Sequence, residues 1–320
     1  MELKLIIGFL ASFAIVMITM PLLIKYLKKL SLKQSVSEYA LPDDQKKAGT
    51  PIMGGLLFIA VPILMTAILN REVIFDSKAI IVILAFVGYG CIGFIDDYLI
   101  AIKKDNNGLS PRTKLLLQFI LAIIFFMIYR ENADLSLHIP FTNIDLHLSW
   151  GYFLLVIFMF VGSSNAVNLT DGMDGLSSGV VIIALIPFLI LLLQAKEVSL
   201  SIFVTCLIAS LLGYLYYNKK PAQVFMGDTG ALALGGVLAA VAMVLKCELA
   251  LIFIAGVPVL ETLLVIIQIT SVKLTGKRVF SYTPIHYAFR IKGVPETTIV
   301  LGFWIVEALL ASIGLWMALH

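Results

Sequence analysis

The sequence predicts an all-α polytopic membrane protein with about ten transmembrane helices, and two observations support this fold class. The 320 residues are 60% hydrophobic and 13% charged, and their mean hydropathy is +1.02. Apolar runs of about 18 residues or more, the length that crosses a ~30 Å hydrocarbon core as a helix, recur along the chain. Helices are expected because lipid offers no water to satisfy the open edge of a sheet.

These runs predict a single integral membrane domain over residues 1–320, with no soluble insertion or low-complexity linker. The first run lacks a cationic leader, because Glu2 offsets Lys4, so we expect a retained span rather than a signal peptide. The predicted spans are 3–24, 52–70, 79–97, 114–130, 151–168, 177–194, 200–217, 230–246, 249–272 and 297–319.

The distribution of Lys and Arg orients the spans. Of 23 such residues, 17 follow odd-numbered spans and 6 lie on the opposite side. Because cytoplasmic loops carry the excess of Lys and Arg, both termini are predicted outside the cytoplasm. Five polar islands then share the cytoplasmic side, where we expect one site. They comprise Lys46 and Lys47, Asp96 and Asp97, and residues 165–175, 218–228 and 278–290.

One extracytoplasmic connection is predicted to form a short β-hairpin. Residues 137–148 alternate apolar and polar side chains around Thr142 and Asn143. In the expected register His138 faces His147, and two histidines without further ligands favour a solvated pair over a zinc site. The cysteines lack disulfide or metal-site spacing and are predicted to be small buried hydrophobes. They are Cys91, Cys206 and Cys247.

Asp96 and Asp97 stand at the predicted end of the third span. Adjacent helical positions point about 100° apart, so the two are not expected to face one ligand if the helix continues. Carboxylates at a helix C-terminus oppose the macrodipole, so a compensating cation is expected. Lys103, Lys104, Lys114 or a metal ion could supply it.

The densest polar stretch is Asn165-Ala-Val-Asn-Leu-Thr-Asp-Gly-Met-Asp-Gly175. In a membrane protein such a cluster indicates a substrate or ion site. Asn168, Asp171 and Asp174 are spaced by three, which would place them on one face of a helical turn. A capping role at the sixth span would explain one aspartate but not the density.

The segment Phe225-Met-Gly-Asp-Thr-Gly230 opens the eighth predicted span. Asp228 or Thr229 could be an N-cap, or the helix N-terminus could present its N–H groups to an anion. Phe225 could stack on a flat base or pack at the interface. Both pairs of alternatives stay open.

Two further features precede or interrupt the apolar runs. Thr50 and Pro51, beside Lys47, are typical of an N-cap followed by the first helical position. Glu261 lies at membrane depth three residues after Pro258 and is expected to face protein or water, either marking a break or gate in the ninth span or being protonated. Five aspartates beside several lysines suggest Mg²⁺ and a phosphate-bearing substrate, with only one or two carboxylates as ligands.

In this order, the islands resemble the bacterial phospho-N-acetylmuramoyl-pentapeptide-transferases, within the polyprenyl-phosphate N-acetylhexosamine-1-phosphate transferase superfamily. The resemblance runs from Lys47-Ala-Gly-Thr-Pro-Ile-Met-Gly-Gly to Leu274-Thr-Gly-Lys-Arg-Val-Phe and the last span. It implies Mg²⁺-dependent transfer of phospho-MurNAc-pentapeptide from UDP-MurNAc-pentapeptide to undecaprenyl phosphate, giving lipid I and UMP. It also implies a homodimer in the bacterial inner membrane, with a cytoplasmic active site and no nucleic-acid partner.

The same resemblance assigns roles to individual residues. Asp228 is implied as the principal metal ligand, and Asp96 and Asp97 as the residues that serve the polyprenyl phosphate. The residues implied in substrate binding are Lys47, Lys114, Asn168, Asp171, Asp174, Asn218, Phe225 and His286.

One segment departs from the family pattern. Where the family usually reads Pro-x-His-His-His-Phe-Glu, this chain has Pro284-Ile-His-Tyr-Ala-Phe-Arg290, so only His286 carries over. A transferase that acts on UDP-GlcNAc is therefore an alternative. A secondary transporter is another, since membrane carboxylates and broken helices also build ion sites, but no internal repeat supports it.

Overall fold

The computed structural model describes residues 1–30, 47, 49–103, 108–131, 133–142 and 144–320. Three residues of the sequence motifs, Lys46, Lys104 and Asn143, lie outside the described residues. Within them the helices are α1 Glu2–Lys29, α2 Gly55–Leu69, α3 Ser77–Lys103, α4 Pro111–Tyr129, α5 Trp150–Thr170, α6 Leu176–Gln194, α7 Val198–Asn218, α8 Gly227–Val244, α9 Leu251–Ile254, α10 Gly256–Thr275, α11 Ile285–Ile291 and α12 Glu296–Ala318. A short 3₁₀ helix, Arg71–Phe75, joins α2 to α3.

The predicted fold class is confirmed. Nine helices of the described part are long and apolar enough to cross a membrane. The second predicted span, 52–70, is the exception, because helix α2 has 15 residues and falls below that length. Thr50 and Pro51 do not begin this helix, which corrects the expected cap. The Pro51 carbonyl instead accepts a hydrogen bond from the Phe225 N–H, and the helix starts only at Gly55.

Helix α8 forms the centre of the bundle, packed between α3 and α5. It is rich in glycine and alanine, so its backbone lies close to its neighbours. Gly235 approaches the backbone of Ser163 and Ser164, and Gly93 of α3 lies against the backbone of Asp228. A side chain at Gly93 would overlap that backbone, so this glycine sets the close approach of α3 to the start of α8.

The polar residues that lie on these helices share one end of the bundle. These residues lie at or near the C-terminal ends of α3, α5 and α7 and at the N-terminal ends of α4, α6 and α8. The β-hairpin and the C-terminus share the opposite end, where the Phe141 N–H donates to the His320 carbonyl. The expectation that distant islands converge is therefore met at the level of the fold.

The hairpin consists of β1 Ser136–Ile139 and β2 Ile144–His147, paired antiparallel. The expected pairing of the two histidines was wrong. His138 lies opposite Asp145, with its Nδ1 2.9 Å from the Asp145 carboxylate, and His147 lies opposite Ser136. The observed register differs by two residues from the expected one. His138 and His147 are therefore not opposite each other, and this strand pair does not bring them together as metal ligands.

The ninth predicted span, 249–272, is broken, but the break does not lie at Glu261. Helix α9 ends at Ile254 and helix α10 begins at Gly256, on either side of Ala255. Glu307 of α12 accepts a hydrogen bond of 2.7 Å from the N–H of Val257, one of the donors that the break exposes. The membrane carboxylate of α12 therefore stabilises the break.

Candidate functional site

An acidic cluster lies where α3 meets the start of α8. Asp96, Asp97 and Asp228 each offer one oxygen atom, and the three atoms lie within 4.8 Å of one another. The expectation that Asp96 and Asp97 do not both face one ligand on a continuous helix stays a prediction. Helix α3 continues to Lys103, and one oxygen of each of its two aspartates lies within 4.8 Å of an oxygen of Asp228 at the start of α8.

Asp97 is committed to the backbone of α8. Its carboxylate accepts hydrogen bonds from the N–H groups of Asp228 and Thr229, at 3.1 and 3.0 Å, and from the Thr229 hydroxyl at 2.6 Å. The first N–H groups of a helix have no partner within it, so a carboxylate from α3 performs the capping expected of Asp228 or Thr229. Asp97 is 3% exposed and holds Asp228 in place.

Asp96 organises the cationic side of the cluster. One of its oxygens accepts the N–H of Leu109 at 2.7 Å, and the other lies 3.0 Å from Nζ of Lys114. Lys114 also forms a short ion pair with Asp228. Lys114, from the first turn of α4, is therefore one of the expected compensating cations that the structure places beside the aspartates.

The donor chemistry of this cluster fits a hard divalent cation. Three carboxylates face one ammonium, Lys114, among the ion pairs of the described residues. Carboxylate oxygens are the protein ligands that Mg²⁺ prefers, usually one or two at a site. The Asp228 side chain is 20% exposed while that of Asp96 is 4% exposed, so Asp228 is the more accessible of these two.

Beside the cluster, residues 171–175 form a tight turn between α5 and α6. The expected helical face through Asp171 and Asp174 was wrong, because α5 ends at Thr170 and Gly175 adopts a left-handed φ of 79°. Burial and the charges of Asp228 and Asp97 raise the pKa of the Asp171 carboxyl to about 7. Asn168 stands one turn earlier, and its carbonyl accepts the Asp171 N–H.

Lys47 joins this turn to the segment before α2. Its Nζ lies 2.7 Å from Asp174 and 2.7 Å from Glu296, the first residue of α12. Burial lowers the pKa of Lys47, but the two carboxylates outweigh it and the pKa is raised. The ammonium is therefore held charged at the edge of the turn.

Asn218 and Phe225 hold the connection between α7 and α8 against the same turn. The Asn218 side chain accepts from the Gly175 N–H and the Ser178 hydroxyl, and donates to the Val224 carbonyl. At 2% exposure it braces the turn from within. Phe225 is half-buried, and its backbone pairs with Pro51 and Gly54.

His286 approaches the turn from the other side. It is fully buried, and its Nδ1 lies 3.0 Å from Glu261, which also accepts the N–H of Ile285. The opposite ring atom, Nε2, has no hydrogen-bond partner among the described residues and lies beside Gly172. Tyr287, one of the residues that depart from the family pattern, donates its hydroxyl to the Gly172 carbonyl at 3.0 Å. The divergent segment therefore contacts the turn directly.

Glu296 belongs to this site but is not indicated by any motif in the sequence. Its carboxylate is buried and contacts two lysines and the backbone of Asp174. The available signal was its position directly after Pro295, at the start of an apolar run, where acids are common for helix-dipole reasons alone. Nothing in the sequence distinguishes that ordinary role from contact with Lys47.

Comparisons with known proteins agree with these segments. Residues 79–246 match the family model for glycosyl transferase family 4. The chain is 44% identical over 316 residues to a phospho-N-acetylmuramoyl-pentapeptide-transferase of Staphylococcus aureus (strain bovine RF122 / ET3-1). It has the same identity, over the same length, to one of Staphylococcus carnosus (strain TM300). Each alignment covers 97% of this chain and 98% of the relative.

Proposed function

Because the chain belongs to the phospho-N-acetylmuramoyl-pentapeptide-transferase family, we propose that it transfers phospho-MurNAc-pentapeptide from UDP-MurNAc-pentapeptide to undecaprenyl phosphate. The chain is a phospho-sugar transferase of peptidoglycan synthesis and a multi-pass membrane protein. The proposed products are lipid I and UMP, and the proposed domain is the whole chain.

The strongest structural support for this proposal is that the acidic cluster lies next to the 171–175 turn. Carboxylates from α3 and α8 gather around Lys114, next to a turn that carries Asp171 and is held by Lys47. These groups lie at one end of membrane-length helices, where a lipid phosphate and a water-soluble nucleotide could meet. A reaction between a lipid and a sugar nucleotide requires such a boundary.

The proposed reaction is a phosphoryl transfer in which one P–O bond forms and one P–O bond breaks. An oxygen of the acceptor phosphate forms a bond to the phosphorus that carries the sugar, and the bond from that phosphorus to the UMP oxygen breaks. The acceptor needs no general base, because the second pKa of a phosphate monoester is about 6 and most of it is dianionic at neutral pH. An aspartate with a pKa of about 3.9 would be a weak base for it.

The harder task is to bring two anions together. We assign Lys114 to the phosphates and Asp228 to the principal bond with Mg²⁺, supported by Asp96 and Asp97. A bound Mg²⁺ would supply charge neutralisation and alignment of phosphate oxygens. Asp97 fixes the backbone that carries Asp228, and Asp96 fixes Lys114.

The nucleotide is assigned to the neighbouring turn. Lys47, Asp174 and Phe225 would contact the uracil, and Asn168, Asp171 and Asn218 belong to the same pocket. Asn218 would act by holding Gly175, since it is buried. His286 would present Nε2 toward the phosphates or sugar from beside Gly172. These roles, the cytoplasmic location of the site, the inner membrane and the homodimer are predictions.

A UMP-release assay tests the proposal. Purified protein receives undecaprenyl phosphate with either UDP-MurNAc-pentapeptide or UDP-GlcNAc, and with Mg²⁺ or a chelator. We expect UMP and a lipid-linked product only with the first nucleotide and only with Mg²⁺. Product from UDP-GlcNAc alone would contradict the assigned substrate, and nucleotide uptake into vesicles without UMP release would favour a carrier.

Sidedness is tested by labelling. In a cysteine-free background, Lys277→Cys lies at the site end and Asp145→Cys lies on the hairpin, and both positions are exposed. An impermeant maleimide on intact cells should label only the hairpin position. Labelling of position 277 alone would reverse the orientation and place the site outside the cytoplasm.

A further inference from the structure

Glu296 contacts several segments around the proposed nucleotide site, and the proposed reaction assigns it no role. It is the first residue of α12 and is 3% exposed. Its Oε1 accepts hydrogen bonds from Nζ of Lys47 at 2.7 Å and from the N–H of Asp174 at 3.1 Å. Its Oε2 lies 2.9 Å from Nζ of Lys220. Both oxygens of one buried carboxylate are therefore engaged.

The consequence for Lys47 is a fixed orientation. Its ammonium lies at 2.7 Å from a carboxylate oxygen on each of two separate segments, Asp174 and Glu296. Asp174 is itself anchored, because its second oxygen accepts the N–H of Ala222 at 3.0 Å. An ammonium with one partner can swing about that partner, whereas two fixed partners restrict it to one position.

Glu296 also ties together the separate pieces of chain that surround the turn. Through Lys47 it holds the segment before α2, through the Asp174 N–H it holds residues 171–175, and through Lys220 it holds the loop after α7. Those three pieces carry Lys47, Asp174 and Phe225, to which the uracil was assigned. Helix α12 thus anchors these three pieces through Glu296.

We propose that Glu296 is a positioning residue for nucleotide binding, which fixes the Lys47 ammonium and the 171–175 turn in the geometry that receives the nucleoside. The inference rests on the proposed function, since it presumes that this pocket takes the UDP moiety. Glu296 acts through Lys47, because its side chain is 1% exposed and has no free face toward a ligand.

The competing explanation is purely structural. An acid in the first turn of a helix interacts favourably with the helix dipole, and Glu296 could serve α12 in that way alone. A structural role predicts loss of stability with unchanged affinity in the protein that remains folded. A positioning role predicts a change in KM for the nucleotide in a folded protein.

Glu296→Gln separates the two, because glutamine retains an acceptor for the Asp174 N–H but removes the charge that holds Lys47. We expect KM for UDP-MurNAc-pentapeptide to rise about 10-fold with kcat within about 2-fold, the pattern of lost uniform binding. The Kd for UMP, measured by calorimetry, should rise by a similar factor. Glu296→Asp keeps the charge but is one methylene shorter. Its KM should therefore fall between that of the wild type and that of Glu296→Gln.

Glu197→Gln is the matched control. Glu197 pairs with Lys78 at 2.5 Å at the opposite end of α3 and α7, so it loses the same charge far from the site. Its KM should equal that of the wild type. If Glu296→Gln does not fold, the Glu296→Asp variant decides, and an unchanged KM there overturns the inference.

The outcomes also separate this inference from the proposed function. If the wild type releases no UMP and does not bind it, the proposed function fails first. If the wild type is active and the KM of Glu296→Gln is unchanged, only the positioning role fails. A lower melting temperature with an unchanged KM would leave Glu296 as a structural residue of α12 and would overturn the inference.

Discussion

The acidic cluster and the Lys47 network lie side by side at one end of the bundle but differ in charge balance. The cluster sets the carboxylates of Asp96, Asp97 and Asp228 against the single ammonium of Lys114 among the described ion pairs. The network, described by its ion pairs, sets two lysines, Lys47 and Lys220, against two carboxylates, Asp174 and Glu296. By formal charge on these residues alone, the cluster is net negative and the network is neutral.

This difference indicates what each region can bind. Excess carboxylate attracts a divalent cation, which in turn can draw phosphate oxygens to it. A neutral network offers oriented donors and acceptors without a net field, which suits an uncharged base such as uracil. The two halves of a sugar nucleotide, its diphosphate and its base, differ in the same way.

Asp228→Ala should have the largest effect, because it alters the acidic cluster at the residue assigned to Mg²⁺. It removes the most accessible oxygen that we assign to Mg²⁺, so kcat should fall on the order of 10³-fold or more, since a metal supplies several kcal/mol of charge stabilisation. Mg²⁺ should raise the melting temperature of the wild type and not that of the variant. A variant that retains both activity and the Mg²⁺-dependent shift would remove Asp228 from the metal site.

Asp96→Asn should have the next largest effect. The residue places Lys114 and the Leu109 N–H, and we expect activity to fall about 10²-fold, as for loss of a preorganised electrostatic contact. The fall should be uniform with pH, because the acceptor phosphate is already ionised above its second pKa of about 6. Rates that recover at alkaline pH would instead support a role for Asp96 as a base.

Asp97→Ala tests the link between α3 and α8. It deprives the N–H groups of Asp228 and Thr229 of their acceptor, so the free energy of unfolding should fall by about 1–2 kcal/mol, as for loss of a helix cap. Asp97→Asn keeps an acceptor and is the matched control in chemical denaturation. Equal stability of the alanine variant and the wild type would show that this cap is dispensable.

Lys220→Gln should have the smallest effect. The Lys220 side chain is 40% exposed at the rim of the network, and such ion pairs contribute about 0–1 kcal/mol. We therefore expect KM for the nucleotide to change by less than about 3-fold. A change as large as that of Glu296→Gln would mean that the neutrality of the network matters more than the position of Lys47.

Much of this architecture follows from local sequence. Apolar runs of membrane length predict the helices, and nine of them reach that length in the described part. The motifs around Asp96, Asp171 and Asp228 predict a shared site, and the helices deliver them to one end. Both inferences succeed because span length and polar density are properties of neighbouring residues.

The errors arise where pairing between segments, rather than the local pattern, decides the conformation. Thr50 and Pro51 have the local pattern of a helix start, but pairing with Phe225 keeps that segment extended. The pairing of His138 with Asp145 depends on the register chosen by the hairpin turn. In the first case a distant partner overrode the local preference, and in the second the hairpin turn set a register that the alternating pattern alone does not fix.

The sequence by itself determined that this chain crosses a membrane, where its polar groups lie along it, and which family it resembles, because hydrophobic length and motif spacing are written in consecutive residues. Only the tertiary structure decided that Asp97 caps α8 and that Glu296 holds Lys47. Those partners are separated by 131 and 249 residues, respectively. A carboxylate acquires such a role from the group placed against it, and that placement comes from the packing of whole helices.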